Sequence, residues 1–226
     1  MSIRVVLADD HQIVREGLGV LLDREADIQV VGQVEDGLSL VRLNRQLCPD
    51  VVVTDISMPG LNGFEAIVRI LDGNPHAKVI CLTVHGETRL VRAALDAGAS
   101  GYLLKGCSFA ELIQAVPGVM DKRIYLSPEL VSGVIQDYRQ GSMDTKDATL
   151  NQLSSREREI LQLLAEGLAT HHIAKRLHLS EKTVASHREH IMKKLQINNI
   201  AELTRYAIRE GFCSVCTPCP KPNHFS

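Results

Sequence analysis

The feature that most constrains this chain is an alternation along its first half. Five short runs rich in β-branched residues stand at 3–8 (IRVVLA), 28–34 (IQVVGQV), 50–55 (DVVVTD), 78–84 (KVICLTV) and 100–105 (SGYLLK). Between them, HQIVREGLGVLLDRE, DGLSLVRLNRQLC, NGFEAIVRILDGN and ETRLVRAALDAGA carry apolar residues three and four apart, as helices with one buried face do. SFAELIQAVPGVM repeats the pattern after the last run. Strands that alternate with helices predict a doubly wound parallel sheet with right-handed crossovers, here of five strands. Such sheets collect reactive groups beyond the carboxyl ends of their strands.

Those ends hold Asp9 and Asp10 after the first strand, Asp55 after the third, Thr83 in the fourth and Lys105 after the fifth. Three carboxylates converging at one edge repel one another unless a divalent cation sits among them, and Mg²⁺ with retained waters suits an all-oxygen set. A phosphoryl group arriving on one carboxylate would meet a metal, an ammonium and a hydroxyl, which stabilise its transfer electrostatically. Any one of these aspartates alone reads as a helix cap or turn residue. Tyr102 alone reads as sheet packing and His85 as a loop residue.

Taken together, Asp9-Asp10, Asp55 with Met58-Pro59-Gly60 and Gly63, Thr83, and Tyr102 with Lys105 resemble the receiver domains of two-component response regulators over about residues 3–120. The resemblance implies that Asp55 accepts a phosphoryl group from the phosphohistidine of a histidine kinase. It also implies that Asp10, Asp55 and the Ser57 main-chain carbonyl bind Mg²⁺, with Asp9 assisting through water. Thr83 and Lys105 would hold the phosphoryl oxygens, and Tyr102 would swing inward with Thr83 as a two-state switch. Ser57 and His85 match positions that tune phosphoryl lifetime.

The chain has 226 residues, more than one ordinary domain of roughly 100–150. Its net charge of -2 conceals a split. Lys plus Arg against Asp plus Glu is 10 against 15 over residues 1–120, 4 against 5 over 121–150, and 11 against 7 over 151–226, giving -5, -1 and +4. A basic end suits approach to nucleic-acid phosphates. Residues 121–150 read as a linker with one helix at about 128–139, ending in the polar run GSMDTKDAT.

Past that linker, Ser154 or Ser155 can cap a helix carrying Ile160, Leu161 and Leu164, which Gly167 ends. A short helix at about 170–177 and a turn at HLS lead to a third helix, capped by Ser180 and running to Leu195. This is a helix-turn-helix. Val184, Ile191 and Leu195 share the inner side of the third helix, so Lys182, Ala185, Ser186, Glu189 and Lys193 face outward toward a major groove. Thr183, His187, Arg188 and Lys194 flank them and are placed to meet phosphates. Glu189 suits cytosine N4, and equally a solvated pairing with Lys193 four residues on. Leu153-Ser154, Arg156-Glu157, Glu159-Ile160-Leu161, Gly167, Ile173-Ala174, Leu179-Ser180, Thr183-Val184, His187 and Lys194-Leu195 resemble the LuxR/NarL/FixJ helix-turn-helix over about 150–211. Ala185 departs from the basic residue common there, so base preference does not carry over. The resemblance implies double-stranded DNA as partner, RNA polymerase as a further candidate, and homodimers through a fourth helix at about 199–210. It also allows the receiver to cover the recognition helix until Asp55 is phosphorylated.

The final residues, 212–226, read as a tail in which Cys213, Cys216, Cys219 and His224 have metal-ligand spacing but no second CxxC, so an unpacked tail is the expectation and a zinc, iron–sulfur or redox role the alternative. Cys48, Cys81 and Cys107 read as small hydrophobes of a reducing compartment. An early acidic turn and the lack of a long apolar run predict a cytoplasmic protein without a membrane partner. A rival reading, a phosphohydrolase of the aspartyl-phosphate type, would place a second acid two residues beyond the nucleophile. Ile56 and Ser57 follow Asp55 instead, so a regulator rather than an enzyme is expected.

Overall fold

The computed structural model describes residues 2–121, 123–139 and 152–213, which fall into two compact units, Met1–Thr145 and Lys146–Ser226. In the first, β1 (Ile3–Ala8), α1 (Gln12–Leu22), β2 (Ile28–Val34), α2 (Gly37–Leu47) and β3 (Val51–Thr54) are followed by α3 (Gly63–Gly73), β4 (Lys78–Thr83), α4 (Thr88–Asp96), β5 (Gly101–Leu104) and α5 (Phe109–Met120). The strands are parallel in the order β2-β1-β3-β4-β5-β6, so β1 and β3 sit side by side and bring their carboxyl ends together. Alternate residues feed opposite cores, as the two-residue period of a strand requires. Val6, Val52, Cys81 and Tyr102 pack with Leu40, Ile67 and Val91 of α2, α3 and α4. Val5, Val53, Ile80 and Leu103 pack with Leu22 of α1 and Leu112 and Val116 of α5. The sheet is therefore covered on both faces, which is why its strands are apolar throughout. Asp36, Asn62 and Ser108 cap α2, α3 and α5 by accepting from the amides of Ser39, Glu65 and Glu111.

The sheet does not end where the sequence suggests. A sixth strand, β6 (Tyr125–Leu126), pairs in parallel with β5 and leads into α6 (Pro128–Arg139). Residues assigned above to a linker thus belong structurally to the first unit. Ser127 is fully buried, its amide donates to the Tyr102 carbonyl at 3.0 Å, and its hydroxyl accepts from the Leu104 amide at 3.2 Å and donates to Glu111 Oε1. Leu130 is buried in the core shared with α2, α3 and α4, with Leu126 and Val134 packed against it. A two-residue strand is too short to show a period, so nothing in the sequence marked it. The run 141–149 lies outside the described residues.

The second unit is helical, with α7 (Ser155–Ala165), α8 (Thr170–Leu177), α9 (Glu181–Leu195) and α10 (Ile200–Arg209). Of the two serines that could cap α7, Ser154 does so, in a capping box with Glu157. Gly167 follows with φ +84°, a left-handed position glycine occupies without strain. Ile160, Leu161, Ile173, Val184, Ile191, Leu203 and Ala207 form the core. The domain extends beyond residue 211, because Phe212 and Cys213 are buried in that core. Burial, then Glu166, pushes the Cys213 thiol up to about 11, so it behaves as a small hydrophobe and not as a thiolate ligand. Cys216, Cys219 and His224 lie outside the described residues.

Candidate functional site

The sheet order sets β1 beside β3, and the acidic residues just beyond their ends meet. Asp9 and Asp55 are buried, and Asp10 is partly so. Lys105, just past β5, reaches across the strand ends and bridges two of them, its Nζ lying 2.7 Å from Asp55 Oδ2 and 2.8 Å from Asp9 Oδ2. Burial opposes the ammonium, but Asp55 and Asp9 outweigh it and hold the Lys105 pKa above its ordinary value. The second Asp55 oxygen, Oδ1, accepts from the amides of Ile56 at 2.6 Å and Ser57 at 3.3 Å. Both oxygens are thereby fixed before any reaction. The turn that presents these amides needs Gly63, whose amide donates to the Ile56 carbonyl at 2.8 Å and whose missing side chain would collide with the Asp55 carbonyl.

Ligand atoms of Asp9, Asp10, His11 and Asp55 lie within 4.8 Å of one another. Asp10 Oδ1 is inaccessible to solvent and accepts no hydrogen bond. Burial first, then Asp55 and Asp9, raise the Asp10 pKa against His11 and Lys105. A crowded, desolvated and unsatisfied carboxylate is what a divalent cation would relieve, so these residues fit one. His11 was not foreseen as part of this group; its only sequence signal is its place directly after the acidic pair. Arg15, one turn further along α1, also enters the site, donating from Nη1 to the Asp9 carbonyl.

The expected switch residues meet at His85. Thr83 is fully buried and its Oγ1 accepts from the His85 amide at 3.3 Å, while the hydroxyl of fully buried Tyr102 donates to the His85 carbonyl at 2.8 Å. Tyr102 therefore occupies the inward position. Burial, then Cys81, Glu87 and Asp55, raise its pKa, which keeps the phenol a neutral donor. Ser57 Oγ lies 3.2 Å from His85 Nε2, so the two expected tuning residues touch.

In the second unit, Lys182, Ala185, Ser186, Arg188, Glu189 and Lys193 are exposed on α9, opposite buried Val184 and Ile191, and His187 is half-buried between them. Among the described residues no ion pair joins Glu189 to Lys193. Two residues expected to meet phosphates have partners within the domain. Thr183 takes part in the cap, its amide donating to Ser180 Oγ at 3.0 Å and its hydroxyl lying 2.8 Å from the same oxygen. Lys194 donates to Glu157 Oε2 at 2.7 Å, because the capping box leaves a buried carboxylate that attracts the nearest cation. Burial raises the Glu157 pKa, but Lys194 and the bonds from Ser154 hold it below the ordinary value of 4.5.

Residues 5–117 match the family described as response regulator receiver domain, and residues 151–207 match the bacterial regulatory proteins of the luxR family. The response regulator UvrY of Escherichia coli strain K12 is 36% identical over 215 residues, covering 95% of this chain and 98% of its own. The transcriptional regulatory protein DegU of Brevibacillus brevis is 34% identical over 227 residues, covering 95% and 96%. Among solved structures, RcsB from Salmonella enterica serovar Typhimurium, bound to the rprA promoter with the phosphomimetic BeF3-, aligns at 32% identity and TM-score 0.62, over 91% of this chain and 98% of RcsB.

Proposed function

The chain belongs to the response regulators that join a receiver to a LuxR-type DNA-binding domain, transcriptional regulators and not enzymes, and from that premise we propose which of its residues carry the two activities. Asp55 is the phosphoacceptor. A carboxylate oxygen of Asp55 forms the new bond to phosphorus as the bond to the histidine nitrogen of a kinase breaks, and that nitrogen keeps the electron pair. Lys105 and the amides of Ile56 and Ser57 stabilise the charge of the transferred group, with Thr83 completing the set. Asp10, Asp55 and the Ser57 main-chain carbonyl hold Mg²⁺, with Asp9 acting through water. When bound, the ion offsets the negative charge gathered between the carboxylates and the phosphoryl oxygens. The observation that carries this reading is Lys105 bridging Asp55 and Asp9 while both Asp55 oxygens are already held.

Thr83 and Tyr102 share His85, so a phosphoryl group that draws Thr83 toward it also pulls on the carbonyl that Tyr102 grips. The same geometry makes Ser57 and His85 the residues that set how long the acyl phosphate lasts. On DNA, Lys182, His187, Arg188 and Lys193 meet phosphates while Ala185, Ser186 and Glu189 face base edges, and a homodimer reads a two-fold symmetric site. Thr183 and Lys194 act one step back, fixing the pose of α9.

The test combines both halves. The full chain is incubated with Mg²⁺ and phosphoramidate, a phosphorus–nitrogen donor, and genomic fragments are selected before and after. Wild type is expected to gain one alkali-labile phosphoryl group by intact mass and to enrich symmetric sites, with Asp55→Asn doing neither. A phosphoryl adduct that persists in Asp55→Asn would overturn the assignment. Equal enrichment by both proteins would leave DNA binding and remove its control by Asp55.

A further inference from the structure

We propose that His11 is a metal-selecting residue of this pocket, its Nδ1 serving as a nitrogen donor that biases the site from Mg²⁺ toward a first-row transition ion such as Mn²⁺. The inference rests on the reading of Asp10 and Asp55 as metal ligands and adds a residue to it. His11 Nδ1 lies 2.8 Å from Asp10 Oδ1 and 3.2 Å from Asp9 Oδ1. Two donors bound at about 2.1 Å on adjacent corners of an octahedron stand about 3.0 Å apart, so both separations are those of neighbouring ligands. The 2.8 Å approach is not a hydrogen bond, because Asp10 Oδ1 accepts none. Instead, a ring nitrogen and a buried carboxylate oxygen face the same point with little shared between them. The ring is held there from its own backbone, since the His11 amide donates to Asp9 Oδ1 at 2.9 Å and Nδ1 can bond the same oxygen.

The chemistry of the donor set decides which ion gains. Mg²⁺ is bound almost entirely by oxygen and dehydrates reluctantly, whereas first-row transition ions accept imidazole beside carboxylates. An all-carboxylate pocket differs little between ions of one charge and similar size. One imidazole breaks that near-tie. His11 is also a residue that can be exchanged safely, because it stands at the N-cap of α1 without forming a side-chain cap bond, and asparagine is among the best residues for that position.

The experiment measures Mg²⁺ and Mn²⁺ affinities of the full chain by competition titration, together with the pulsed electron paramagnetic resonance spectrum of bound Mn²⁺, in wild type, His11→Asn and Asp10→Asn. Asp10→Asn identifies signal that does not come from the pocket. The expected result is a preference for Mn²⁺ over Mg²⁺ that falls roughly tenfold in His11→Asn, with nitrogen hyperfine coupling seen in wild type and lost in that variant. An unchanged preference, or coupling that persists in His11→Asn, would overturn the role of His11 and leave the carboxylate site standing. Wild type that binds neither ion above the Asp10→Asn background would overturn the carboxylate site and this inference with it.

Discussion

Asp10 is the least comfortable residue in the receiver. Its pKa lies above the ordinary 3.8, so its contribution to stability is full below that value and is lost as pH rises through the raised one. Without metal, the ionised side chain therefore costs stability near neutral pH. Asp10→Asn should raise the stability of the first unit in chelator by about 1 kcal/mol, and should abolish its stabilisation by Mg²⁺. Thermal unfolding with and without the ion checks both; an unchanged response to Mg²⁺ would count against Asp10 as a ligand. Glu157 has the opposite sign. Its lowered pKa gives stability that is present above 4.5 and is lost as pH falls through the folded value. Glu157→Gln should cost the second unit about 1 kcal/mol at neutral pH, the exposed Lys194 end of the pair being discounted, and should flatten its acid limb in denaturant titrations. At this scale the sequence spoke clearly wherever topology spoke for it. Asp9, Asp10, Asp55 and Lys105 follow strands whose order is forced by alternation, so their meeting could be read in advance. His11 and the Glu157–Lys194 pair could not, since the partnership of a loop histidine or a surface lysine has no period.

Among the elements, α6 departs most from its sequence reading. The helix itself was legible, from Pro128 to Arg139, but its packing was not, because three apolar residues in a polar setting look alike on a tether and on a docked helix. Docking is in fact close. A β-carbon added at Gly133 would lie 2.7 Å from Thr88 Cγ2 at the start of α4, and Leu130 is buried beside Gly86. Helix α6 thus rests on the segment that joins β4 to α4, directly after Thr83 and His85. Leu130→Ala should destabilise the first unit by about 3 kcal/mol, as for other buried leucines. Gly133→Val should instead push α6 from α4 and raise amide exchange across Tyr125–Leu130 without unfolding the sheet. Exchange in that stretch as fast as in an unstructured peptide, already in wild type, would show that the helix does not dock.

For the whole molecule, the charge split is the property that matters, and its sign was readable from the composition of 151–226 alone. Which charges are available to DNA was not readable, because that depends on internal partners. Arg156 is held by Glu159 and the Leu177 carbonyl, Arg158 by the Leu153 carbonyl, Lys194 by Glu157 and Arg209 by Glu210. Among the described residues of this unit, Arg176, Lys182, Arg188, Lys193 and Arg205 make no such bond. The dependence of DNA affinity on salt separates these two sets, since each phosphate contact removed lowers the slope of log K against log salt by about 0.9. Lys182→Gln, Arg188→Gln and Lys193→Gln should each flatten that slope by about one contact and weaken all sequences alike. Lys194→Gln should leave the slope unchanged while lowering the melting temperature of the second unit, and Glu189→Gln should change base preference at one position instead. If Lys194→Gln flattens the slope as much as Lys193→Gln does, the Glu157 bond opens on DNA and the lysine serves phosphate after all. If it does not, the net positive charge of this unit overstates its electrostatic reach by the cations its own carboxylates consume.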